Sequence, residues 1–248
     1  MNKIITIATH EIQRTFKSLL AWVILAVVQF LLAIFFLLLL NQFLNPAPWL
    51  VGRGVTEIVV AGLFQITGII LLLITPFITM RSFSEERRAG TIHLLYSSPV
   101  SLTELVLGKY AGILGFLCVL LGMIVLMPLS LLLATSLDIL QLFSGILGLF
   151  LLMASFAAIG LFVSTLTSQP AIAAIITFGI LFMLWIINLV STTGSDMYRE
   201  IFNFLSLLNH YNNLINGLFN SSDLFYYLII IFTFVVLSVW RLDNERFY

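Results

Sequence analysis

Few residues in this chain could do chemistry. Its 248 residues are 61% hydrophobic and 9% charged. The three histidines, His10, His93 and His210, lie far apart without metal-ligand spacing, so they read as surface or interface residues and not as a metal site. The single cysteine, Cys118, sits inside an apolar run and cannot form an internal disulfide. No G-x-x-x-x-G-K-S/T sequence occurs, so there is no phosphate-cradling loop, and no nucleophile–base arrangement is visible. The sequence therefore points to no catalytic residue and no enzyme. What remains is recognition chemistry, concentrated in residues 81–109, RSFSEERRAGTIHLLYSSPVSLTELVLGK. Here Glu85, Glu86, Arg87 and Arg88 supply charge, and Ile92, Leu94, Leu95 and Tyr96 supply apolar surface.

The elements that must position this segment are membrane spans. Soluble domains carry about 25% charged residues, so this composition calls for lipid as solvent. Net charge is zero, which gives no electrostatic case for nucleic acid. No charge falls between Lys17 and Arg53, Glu57 and Arg81, Lys109 and Asp138, Asp138 and Asp196, or Asp223 and Arg241. A helix needs roughly 20 apolar residues to cross the hydrocarbon, and the fourth gap is long enough for two, divided by the turn signal Thr167-Ser168-Gln169-Pro170. This gives six spans, at 19–41, 59–80, 110–134, 141–166, 171–190 and 224–240, in one transmembrane domain over 1–248. The apolar runs are continuous and not alternating, so they are helices rather than barrel strands.

With six spans both termini share a side. That side collects nine of the eleven basic residues; only Arg53 and Arg199 fall opposite. The positive-inside rule makes the termini and the 81–109 connector cytoplasmic. No Asp, Glu, Lys or Arg falls inside these spans, which argues against ion-coupled secondary transport.

Within the connector, Ser84–Arg88 can continue span two as a polar turn that Gly90 ends. Thr91 can start a short helix with Ile92, Leu95 and Tyr96 on one face, and Pro99 stops it. Ser101-Leu102-Thr103-Glu104 is a capping box opening the helix of span three. A short apolar-faced helix needs a partner protein or a lipid surface, and the residues alone leave both open. Residues 1–17 form an amphipathic helix with Ile5, Ala8, Ile12 and Phe16 on one face. Gly108 and Gly112 form a G-x-x-x-G that predicts close helix packing. Pro76 kinks span two near the connector and is a candidate hinge; Pro128 does the same for span three. Outside, Ile201, Phe202, Leu205 and Leu208 share one helical face, and Tyr211, Leu214, Ile215 and Leu218 another. These read as two short helices in, or dipping into, the outer leaflet.

The run TPFITMRSFSEERRAGTIHLLYSSPVSLTELVLGKY, with AAIGLFVSTLTSQ at 157–169 and LSLLNHYNNLINGLFNSSDLFYYL at 205–228, resembles ABC-2-type transporter permeases. The branch is similar to the gliding-motility-associated permeases and those of nitrous-oxide-reductase maturation. The resemblance implies an all-α inner-membrane permease of bacteria, with an N-terminal amphipathic connecting helix and re-entrant helices before span six. It implies a coupling helix between spans two and three that docks on a separate ATP-binding subunit. Glu85, Glu86 and Arg88 would be its polar approach, Gly90 and Thr91 its start, and Ile92, Leu94, Leu95 and Tyr96 the inserted helix. His93 departs from the family, which often has Glu there. ATP and magnesium would bind the partner ATPase and no cofactor this chain. Two ATPase copies and a second permease chain, identical or related, would complete an exporter-type transporter. The uncharged spans fit an amphiphilic substrate. The alternative is a structural anchor that transmits force to an envelope machine.

Overall fold

The computed structural model describes residues 3–48, 51–92, 100–193 and 206–246. Among these no strand occurs, and the helices are α1 (Lys3–Lys17), α2 (Leu19–Leu44), α3 (Ala61–Thr79), α4 (Ser84–Arg88), α5 (Leu102–Leu131), α6 (Ile139–Leu166), α7 (Pro170–Thr193), α8 (Leu207–Ile215) and α9 (Ser221–Arg246). A π-helical turn, Thr56–Val60, leads into α3. Six of the helices, α2, α3, α5, α6, α7 and α9, are long and apolar enough to cross a membrane.

The helices mostly run past the ends read from charge gaps, because polar caps extend them. Ser101 accepts from the Glu104 N–H while Glu104 accepts from the Ser101 N–H, the capping box that opens α5. Asp138 caps α6 by accepting from Leu140 and Gln141. The break between α6 and α7 falls at 167–169, and Pro170 takes the first helical position of α7, where a missing N–H is harmless. Pro76 and Pro128 both lie inside their helices.

The core is built around α6, whose residues 151–161 are all buried. A helix apolar all round belongs in the middle of a bundle. Its small residues let neighbours approach: a Cβ on Gly148 would stand 2.8 Å from the Leu214 Cβ, and one on Gly145 2.7 Å from the Phe64 ring. By contrast, α2 and α9 expose Phe30, Leu37, Phe225 and Phe232 on outward faces. That inversion suits lipid as solvent, since burying these side chains in protein would gain little over hydrocarbon.

Two expectations need correction. Ser84–Arg88 follows span two in one helical run over 56–88, but after a short break. The helix stops at Thr79, the Ser82 N–H bonds back to Thr79, and Phe83 is completely buried before α4 begins. Of the α1 face drawn on Ile5, Ala8, Ile12 and Phe16, only Ile5 points away, being 59% exposed. Ile4, Ile7 and Glu11 join Ala8 and Ile12 against α5.

Candidate functional site

The connector is held by charge. α4 has five residues, far too few to form a stable helix alone, since isolated helices shorter than about 12–15 residues are marginal in water. It is closed by a Schellman motif: Gly90 takes φ +70°, its N–H bonds to the Arg87 carbonyl at 3.1 Å, and the Thr91 N–H bonds to Glu86 at 3.0 Å. Only glycine takes this backbone conformation without strain.

Three helices from distant parts of the chain grip this turn. From α5, the Lys109 ammonium donates to the Glu86 carboxylate at 2.5 Å and to the Ser82 carbonyl at 2.7 Å. It also lies 3.8 Å from Glu11 and 4.9 Å from the centre of the Phe83 ring. Its side chain is only 3% exposed. A buried ammonium is tolerated only where carboxylates and carbonyls replace its water, and Glu86, Glu11 and the Ser82 carbonyl do so. From α1, Arg14 pairs with Glu85 at 2.7 Å, lies 3.5 Å from Glu86, and donates to the Arg81 carbonyl at 3.2 Å. Burial disfavours the Arg14 charge, yet Glu11, Glu85 and Glu86 outweigh it and raise its pKa above the ordinary arginine value. From α9, Glu245 forms a two-pronged pair with Arg87 and also binds Arg241 at 3.0 Å.

α1 reaches the connector because α5 offers a groove of glycines. A Cβ on Gly108 would stand 2.7 Å from the Ile7 Cβ, and one on Gly112 2.6 Å from the Glu11 Cβ. Phe16 then packs on Phe116 at 5.4 Å and fixes the far end of α1. The G-x-x-x-G therefore seats the amphipathic helix and brings Glu11 and Arg14 beside Lys109.

Of the residues expected here, Glu85 and Glu86 turn inward to Arg14 and Lys109. Arg88 is exposed and has no carboxylate partner among the described residues. Gly90 and Thr91 form the turn, and Ile92 is buried. Leu94, Leu95 and Tyr96, like His93 and Pro99, lie outside the described residues, and so do Ile201, Phe202 and Leu205. Sequence reasoning missed Lys109, Glu11, Arg14 and Glu245 as fasteners. The signal available for Lys109 was its place at the head of an apolar helix, eight residues past the cap.

The opposite end of the bundle is closed by α8. Tyr211 and Leu214 are fully buried, and the Tyr211 hydroxyl donates to the Phe64 carbonyl at 2.6 Å. Ser144 of α6 donates to the Leu214 carbonyl at 2.7 Å. α8 thus packs inward against α3 and α6, while Leu218, past its end, is exposed. His210 is not a surface residue. It is buried against Asp223, with Nδ1 and Oδ1 2.6 Å apart, and its ring stacks on Tyr226.

A family model described as "ABC-2 family transporter protein" matches residues 5–246. No curated protein matches the chain significantly.

Proposed function

We propose that this chain, which belongs to the ABC-2 family of transporter proteins, is the permease subunit of an ATP-driven exporter and receives its power stroke through the 81–109 connector. The end of the bundle that carries both termini faces the cytoplasm of a bacterial inner membrane. Two copies of an ATP-binding subunit, which hold the ATP and magnesium, dock there. A second permease chain completes the transporter, and its substrate is amphiphilic.

The observation that carries this reading is the three-helix grip on the connector. A passive loop needs no buried ammonium. A lever does, because a push on residues 92–99 reaches α1, α5 and α9 only if the turn before it is fastened to them. Lys109, Arg14 and Glu245 are those fasteners. In this scheme Glu85 and Glu86 brace the coupling helix, buried Ile92 ties its start to the bundle, and Leu94, Leu95 and Tyr96 enter the ATPase groove. At the far end α8, with Tyr211 and Leu214, closes the outer mouth of the path.

Thr91 is exposed at the start of the coupling segment. A Thr91→Cys variant, in a Cys118→Ser background, should cross-link to an ATP-binding subunit through a short bis-maleimide. Arg53→Cys, at the other end of the bundle, should not. Cross-linking from position 53 but not 91 would reverse the orientation and defeat the reading.

Pro76 sits one turn before the connector, inside α3, and gives no backbone N–H to the preceding turn. It is the hinge in this scheme. Pro76→Ala restores that bond, so ATP hydrolysis by the reconstituted complex should continue while transport per ATP falls several-fold. Unchanged transport would leave Pro76 as a static bend.

A further inference from the structure

Beside the connector, α3, α4 and the start of α7 line an open cavity of about 980 Å³. That is the upper end of the roughly 300–1,000 Å³ of ordinary ligand pockets. Its two ends differ in chemistry. Leu73 and Phe77 of α3 and Ile175 and Phe178 of α7 make an apolar wall. Leu73, Phe77 and Ile175 are each at least half exposed. Arg81 and Arg88 stand at the mouth with Glu85. Glu85 is held by Arg14 at 2.7 Å, whereas neither Arg81 nor Arg88 has a carboxylate partner among the described residues. The Arg81 side chain has only a 3.5 Å contact to the Ser18 hydroxyl. Two uncompensated guanidiniums over an apolar slot match one ligand chemistry: an anionic headgroup on an acyl chain.

We propose that this cavity binds an anionic membrane amphiphile, with its phosphate or carboxylate on Arg81 and Arg88 and its chain along Leu73, Phe77, Ile175 and Phe178. The guanidinium forks can take two headgroup oxygens each. Leu73, Phe77 and Ile175, each at least half exposed, leave the apolar wall open to an acyl chain. This rests on the permease reading and deepens it by naming the class of amphiphile taken up at the connector's end.

The test places p-benzoylphenylalanine at Phe178 of the full chain in its native membrane, then irradiates it and weighs the products. The expected result is an adduct of one anionic lipid. It should fall at least about tenfold in Arg81→Gln/Arg88→Gln, since losing even one charge-assisted hydrogen bond costs that much, and stay unchanged in Arg53→Gln. Arg88→Gln alone, at an exposed position, should show a smaller fall in protein that elutes as the wild type does, which guards against a folding artefact. Zwitterionic lipid captured in proportion to its abundance would overturn the proposal, and so would a main product joining two copies of this chain. A purified protein that binds glycerol phosphate as tightly as lysophosphatidylglycerol would show a free-anion site and overturn it too. Association with an ATP-binding subunit is scored in the same preparation. Its loss defeats the permease reading, while failed lipid capture with the ATPase still bound defeats this proposal alone.

Discussion

Lys109→Met is expected to destabilise the protein by about 3–5 kcal/mol, the usual result of removing one partner from a buried ion pair. The size follows from what stays behind. Glu86 and Glu11 are 17% and 11% exposed at their side chains, and they share the ammonium with Arg14, 3.5 and 3.6 Å away, as their other cation. Methionine fills the space but leaves two poorly solvated carboxylates with Arg14 as their one shared cation and the Ser82 carbonyl without its donor. Detergent-solubilised protein should therefore melt well below the wild type. Glu86→Gln added to Lys109→Met should recover part of the loss, because it removes the stranded charge. Lys17→Met, at an exposed position, should change nothing. Wild-type melting for Lys109→Met would show that the pair does not hold the connector.

Gly112→Leu is the second large effect. A Cβ at this position already falls within 2.6 Å of Glu11 Cβ and 3.2 Å of the Ala8 carbonyl, so the remaining leucine atoms have no room unless α1 moves. Overpacking a tight interface costs about 1–3 kcal/mol, and here α1 can escape by lifting out of its groove. Once it lifts, Arg14 leaves Glu85 and Glu11 leaves Lys109. Limited trypsin digestion should then cut after Arg14 and Lys17 many times faster than in the wild type. Gly122→Leu is the matched control, since nothing lies within 4 Å of a Cβ there, and it should digest like the wild type. If Gly112→Leu did the same, α1 would not depend on the glycine groove.

The spans were legible because lipid makes them so: an apolar run bounded by charge has few other readings. The capping box at Ser101–Glu104, the Gly90 stop and the turn before Pro170 were also legible, because each is decided by residues within four positions. What was not legible depends on residues far apart in the chain. The inward face of α1 is set by the glycines of α5, about 100 residues on, so periodicity alone chose Ile5 over Ile4 and Ile7. Glu11 stood outside the apolar face read for residues 1–17 because its cation, Lys109, comes from another helix. His210 looked like a surface residue because Asp223 meets it only after the chain turns at Gly217, which takes φ +79°. The break after Thr79 escaped notice because Ser84–Arg88 is a good helical sequence. Phe83 fills that break, fully buried beside Lys109.

The central claim is that residues 92–99 couple this chain to an ATP-binding subunit. The most direct measurement is co-purification in mild detergent, with ATPase activity, of the wild type against a Leu94→Asp/Leu95→Asp variant. The account predicts that a P-loop ATPase follows the wild type. It should leave the variant while the variant itself still elutes and melts as a folded protein, because Lys109, Arg14 and Glu245 hold the bundle without those leucines. An ATPase that stays with the variant, or none with the wild type under several mild conditions, would contradict it.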